Sequence, residues 1–132
     1  MSTLIVTITK IQSVDNLNLV SFDFNGTELK MMSLGLGAEV QVGKKVSLAI
    51  KPSSVALAKD FSGELSYINS IHASIIDVQN GELLSSIKLQ ANGNIFESLM
   101  TKESSLKMDL CVEDKVIALL KASELSIAEV YE

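Results

Sequence analysis

The sequence predicts an all-β protein in which one small unit occurs twice, and three observations carry this. Apolar and polar residues alternate with a period of two along most of the chain, turn residues separate the alternating stretches, and one segment recurs 70 residues further on. Taken in order, Leu4, Val6 and Ile8 alternate with Ile5, Thr7 and Thr9, and Val20, Phe22 and Phe24 alternate with Ser21, Asp23 and Asn25. Further strands are predicted at Val46–Ile50, Ile71–Val78, Leu83–Leu89, Ile95–Met100 and Val116–Leu120. Asp15-Asn16, Asn25-Gly26, Asn80-Gly81 and Asn92-Gly93 supply residues that tolerate the positive φ of tight hairpins. Helix is predicted only over Thr101–Met108, where a hydroxyl N-cap precedes Lys102, Glu103, Leu106 and Met108.

The repeat is the more informative feature. Residues 31–58 align without a gap on 101–128, with seven of 28 pairs identical: Leu36/Leu106, Val42/Val112, Lys45/Lys115, Val46/Val116, Lys51/Lys121, Ser53/Ser123 and Ala58/Ala128. The strand, Asn-Gly turn, strand order holds around both Gly26 and Gly93, with a small length change. The expected units are therefore residues 1–62 and 63–132, and the short link Lys59–Glu64 implies that they pack closely.

Composition excludes several classes. With 132 residues, 47% hydrophobic, the chain has enough apolar material for a core, while a net charge of −5 disfavours a surface that grips nucleic acid through phosphates. Only six aromatics, 4 Phe and 2 Tyr, are available as stacking platforms, which weighs against a single-strand binder. One Cys, one His and no Trp leave no internal disulfide and no usual zinc cage. Met1–Val6 lacks a basic region and is too short an apolar run for a signal peptide, and no stretch approaches the roughly 20 apolar residues of a membrane helix. A soluble, cytoplasmic protein without membrane insertion is expected.

Some constellations carry no chemistry. Gly37 to Gly43-Lys44-Lys45 has the wrong glycine spacing for a phosphate loop and no hydroxyl after the lysine. His72 reads as a strand residue, Glu113-Asp114 as a turn rather than a catalytic pair, and Met31, Met32, Met100 and Met108 as core filler, with Met31-Met32 marking packing between the repeats.

Three segments of the second copy carry a family resemblance. Leu65-Ser66-Tyr67-Ile68-Asn69-Ser70-Ile71 stands as an opening strand, Thr101-Lys102-Glu103-Ser104 as a Thr-x-x-Ser after a strand, and Lys121-Ala122-Ser123 as a closing Lys-Ala-Ser element. In this order they resemble the Mop domain, the small molybdate-binding barrel of the molbindins, also found as the TOBE module of molybdate transporters and molybdate-responsive regulators. The resemblance implies two tandem OB-like Greek-key β-barrels with a short helix in at least the second. It implies a binding protein and not an enzyme, with no cofactor and no directly coordinated metal cation, whose ligand is molybdate or tungstate held for storage, buffering or delivery. The family places its sites between Mop units of different subunits, so a homo-oligomer, a homotrimer of such chains, is the implied assembly.

The site residues so implied are Thr101, Ser104, Lys121, Ala122, Ser123, Ser66 and Asn69, with Lys51 and Ser53 as weaker candidates in the first repeat. Their chemistry is consistent. A tetrahedral dianion needs convergent N–H and O–H donors, which hydroxyls at a first helical turn, exposed backbone amides and one compact ammonium supply. Such a local field lets an acidic protein hold a small anion. In the first copy Met31 and Leu34 align with Thr101 and Ser104 and bring no hydroxyl, and Pro52 removes the donor that Ala122 provides. In the second copy Ile68 stands where the family has arginine, and Tyr67 where it has alanine. Ile68, Met31 and Leu34, apolar where the family is polar, support the alternative, a Mop/TOBE oligomerisation or partner-docking module without oxyanion binding.

Overall fold

The computed structural model describes residues 2–131. Alternating burial dictates the strands: in β1 (Ser2–Val14) the side chains of Leu4, Val6 and Ile8 point inward while Ile5 and Thr3 face out. β2 (Leu17–Phe24) and β3 (Thr27–Ser33) form a hairpin closed by Asn25 and Gly26 at φ 47° and 94°, the left-handed pair that matches strand twist. β4 (Lys45–Ile50) follows, then a 3-10 turn at Pro52–Ser54 and the short β5 (Ala56–Ala58). The second copy repeats the order with β6 (Asn69–Asn80), β7 (Leu84–Ala91), β8 (Asn94–Thr101), α1 (Lys102–Lys107), β9 (Lys115–Leu120), a 3-10 turn at Ala122–Glu124 and β10 (Leu125–Tyr131). β5 and β10 lie outside the strands expected from sequence. β7 starts one residue later than expected, because Leu83 sits in the turn, where its carbonyl accepts from the Lys102 N–H at 2.8 Å.

The strands form two five-stranded antiparallel sheets, ordered β10-β4-β1-β2-β3 and β5-β9-β6-β7-β8. Each sheet thus takes one edge strand from the other half of the chain. β10 pairs with β4 through Leu125↔Ile50 and Ile127↔Leu48, and β5 pairs with β9 through Ala56↔Leu119 and Ala58↔Ile117. The expected division at 62/63 falls in the link, and the exchanged strands cross it.

Register defines the repeat more closely than sequence did. Ser2 faces Ile50 as Asn69 faces Leu120, and Lys30 faces Ser21 as Glu97 faces Lys88, so equivalents are 67 apart through the third strand and 70 apart from the fourth. The gapless alignment therefore fails before β4: three extra residues enter the second unit where α1 lies, and Leu34, rather than Met31, takes the place of Thr101. Both first strands carry a bulge, between Ile8 and Lys10 and between Ile75 and Asp77. Each bulge is closed alike: Ile8 N–H donates to the Lys44 carbonyl and Gly43 N–H to the Ile8 carbonyl, while Ile75 N–H donates to Asp114 and Glu113 N–H to Ile75.

One core serves both halves. Phe22, Phe24, Leu4, Ile8, Leu29, Leu48 and Ile50 are fully buried in the same cluster as Phe96, Ile71, Ile75, Ile87 and Leu89. Met31 belongs to it and shares a cleft with Leu125–Val130 of the other half, and Met100 and Met108 pack on its margin. Met32 departs from the core-filler reading: its neighbour Met31 takes the inward position, so the pleat turns Met32 outward, 41% exposed. His72 is an exposed residue of β6, as expected.

Candidate functional site

The two Lys-x-Ser segments lie where the exchanged strands leave one sheet for the other. Lys51 and Lys121 are each the residue before a 3-10 turn, with near-identical extended backbones at φ −79°, ψ 126° and φ −79°, ψ 146°. Strand exchange brings the turns together: the Ser54 hydroxyl donates to the Glu124 carboxylate at 3.1 Å, a contact between positions 70 apart. A cavity of about 220 Å³ beside it is lined by Ala49 and Lys51 of one half and by Ser123, Glu124, Leu125 and Ser126 of the other. Lys51 and Ser123 are thus brought together. Ser53, Ser123 and Lys121 are exposed and Ala122 is half-buried. The Lys121 ammonium stands 5.8 Å from the centroid of the Tyr67 ring.

Thr101 and Ser104 form a second cluster. Thr101 is the N-cap of α1; its hydroxyl accepts from the Ser104 N–H at 3.1 Å and donates to the Ser104 hydroxyl at 3.0 Å. Both residues are exposed. Thr101 lines a cavity with Glu82, Leu83, Leu84, Lys102, Glu103 and Leu106, separate from the one lined by Lys51 and Ser123. Within a single chain the hydroxyl pair and the lysine turns therefore do not share a pocket.

Asn69 has a different occupation. It is completely buried, and its carboxamide accepts from the Lys30 N–H at 2.7 Å and donates to the Lys30 carbonyl at 2.9 Å. Both functional ends of the amide are engaged with β3 of the other half, so Asn69 fastens the sheets together. Its equivalent, Ser2, accepts from the Glu97 N–H at 3.2 Å on β8. Ser66, three residues before Asn69, is exposed in the segment leading into β6.

The link carries its own anchor. Lys59 donates to the carbonyls of Met108 and Asp109 and pairs with Asp114 at 3.0 Å. The Asp114 carboxyl is held below the usual carboxylate range, chiefly by the Cys111 N–H and then by Lys59, and the hydrogen bond to Asp114 raises the Lys59 ammonium. This pair fixes the loop between α1 and β9. Sequence reasoning missed Lys59, Lys30, Ser2, Ser54 and Tyr67; for Ser54 a signal existed, since it lies opposite Glu124 in the repeat.

The fold and its seam define the architecture: two tandem β units that exchange edge strands, with a lysine turn from each half at the junction. A solved structure with this fold is that of the cytoplasmic molybdate-binding protein ModG with molybdate bound, which matches at a TM-score of 0.88 over 95% of this chain and 93% of that one, at 21% identity. A molybdate-binding protein from Sporomusa ovata is 27% identical over 51% of this chain and 100% of its own, at a TM-score of 0.49. No protein-family model and no curated protein matches the sequence. Among the described residues no helix is long and apolar enough to cross a membrane, and no cluster of His, Cys, Asp and Glu could hold a metal ion.

Proposed function

We propose that the chain binds a tetrahedral dianion, molybdate or tungstate, in the cytoplasm, for storage, buffering or delivery and without chemistry on the ligand. The observation that carries this is the pair of lysine turns at the seam, where Lys51 faces Ser123 across the exchanged strands. A lysine, serine hydroxyls and the N–H groups of a first helical turn are the donors such an anion requires. The fold shared with ModG supports the reading.

Oxyanion binding through Lys121, Ala122, Ser123, Thr101, Ser104 and Ser66 is proposed to need a second copy of the chain. Thr101 and Ser104 lie apart from the lysine turns, and a homotrimer would bring one copy's hydroxyls to another's Lys-Ala-Ser. Asn69 serves this assembly by fixing β6 to β3. The repeats 1–62 and 63–132 act as one unit in this scheme.

Calorimetric titration with molybdate, tungstate and sulfate tests the proposal. Saturable heat with molybdate or tungstate is expected, together with a rise in thermal midpoint, since a ligand at 100 times its Kd stabilises by about 2.7 kcal/mol. No heat and no shift with any oxyanion refute it. That result would favour a docking module without ligand, for which the exposure of Ile68 (54%) and Leu34 (77%) at family-polar positions is the supporting observation.

A further inference from the structure

We infer that Tyr67 is a positioning residue for Lys121, holding its ammonium toward the oxyanion without neutralising it; this rests on the oxyanion reading above. The ammonium lies within the range in which a ring face attracts a cation. Tyr67 is half-buried, and it stands two residues before Asn69, which is locked to Lys30, so the ring has a fixed base.

The alternative partner for Lys121 would be a carboxylate, and Glu124 is only three residues away across the same turn. Glu124 instead accepts from Ser54 of the other half, and no ion pair involves Lys121 among the described residues. The difference matters chemically. A carboxylate at the ammonium would compete with an incoming anion and repel it, whereas an aromatic face orients the charge and adds no rival anion. The N–H donors turned away from the ring stay available to oxyanion oxygens. Lys51 has no ring over it among the described residues, so the two repeat-equivalent lysines differ in how far they are ordered before ligand arrives.

The test uses the full-length protein and three variants, Tyr67→Phe, Tyr67→Leu and Lys121→Met. Tyr67→Leu keeps an apolar side chain without the aromatic face, and Tyr67→Phe keeps the face without the hydroxyl. Lysine side-chain NMR without ligand should show ring-current displacement of the signals assigned by loss in Lys121→Met, retained in Tyr67→Phe and abolished in Tyr67→Leu. Titration with sodium molybdate should give a Kd within twofold of the parent for Tyr67→Phe and about 2- to 5-fold weaker for Tyr67→Leu, the range of an exposed cation–π contact. Absence of the ring-current displacement in the parent protein overturns the inference. So does an unchanged Kd in Tyr67→Leu when the parent binds. If the parent binds no molybdate while the displacement is present, the oxyanion reading fails and the contact is structural only.

Discussion

Replacing Asn69 isolates the joint between the halves. Its amide satisfies both the N–H and the carbonyl of Lys30, which face away from β2 because Lys30 and Ser21 sit opposite each other without exchanging these groups. Asn69→Ala removes two hydrogen bonds and leaves two backbone groups at the margin of a core. An unsatisfied buried group costs about 1–3 kcal/mol, and access of water to the partly exposed Lys30 lowers the sum, so the expected loss is roughly 2–4 kcal/mol. For a domain of this size that is a fall in thermal midpoint of roughly 8–16 °C. Ser2→Ala removes one acceptor from the equivalent place and should cost only about 0.5–1.5 kcal/mol. Asn69→Asp sharpens the test: one carboxylate oxygen still accepts from Lys30, but the other faces its carbonyl, so this variant should be less stable than Asn69→Ala at neutral pH. Protonation turns that oxygen into a donor, and stability should recover on acidification. Urea unfolding of the four proteins between pH 4 and 8 measures this. A loss below about 0.5 kcal/mol in Asn69→Ala, or an Asn69→Asp variant indifferent to pH, refutes the reasoning.

Glu113 occupies at φ 79° the place that Gly43 occupies at φ 93° in the other unit. Glu113→Gly should therefore stabilise by about 0.5–1 kcal/mol, the left-handed penalty less the entropy cost of glycine, and Gly43→Ala should destabilise by a similar amount, both read from urea midpoints. The Lys59–Asp114 pair predicts opposite effects at the two ends of the pH scale. Asp114 is depressed, so its contribution is full above the ordinary carboxylate pKa and lost as pH falls through its own lower value; Asp114→Asn should flatten the acid limb of stability against pH. Lys59 is raised, so its contribution is full below the ordinary lysine pKa and lost as pH rises through its higher value; Lys59→Met should flatten the alkaline limb. Fragments 1–62 and 63–132 should each lack a cooperative unfolding transition and regain one when mixed, because each needs the other's edge strand; a cooperative transition in either alone would count against this.

Local chemistry explains what was legible in the sequence. Alternation set the inward residues of β1 and β2 correctly, Asn-Gly marked two hairpins, and Thr101 was readable as a cap because the helix after it has the right first turn. Partner choice was not legible. The run Leu125–Ile127 alternates, the pattern then breaks at the bulge between Ile127 and Glu129, and nothing local says that the strand pairs with β4 rather than with β9, since that decision rests on contacts across the whole core. Asn69 shows the same limit at a single residue: an asparagine at the head of a strand is equally able to meet a ligand or a backbone, and only its complete burial against Lys30 decides. Leu34 replaced Met31 as the partner of Thr101 because three extra residues sit at α1, where sequence identity is too thin to position a gap.

The same two turns join the halves and carry the candidate donors, and the topology makes this more than coincidence. A strand that must leave β4 and reach the sheet of β9 needs a short, well-defined reversal, which Lys51–Ser54 provides, and Lys121–Glu124 provides the converse. Crossing in opposite directions at one seam forces the reversals side by side, so Ser54 meets Glu124 and Lys51 meets Ser123 without any dedicated loop. Each unit alone is a sheet short of an edge, of a size at which burial barely offsets chain entropy. Exchange gives both a fifth strand and a common core, and it holds the lysine turns in place with the full cooperativity of that core.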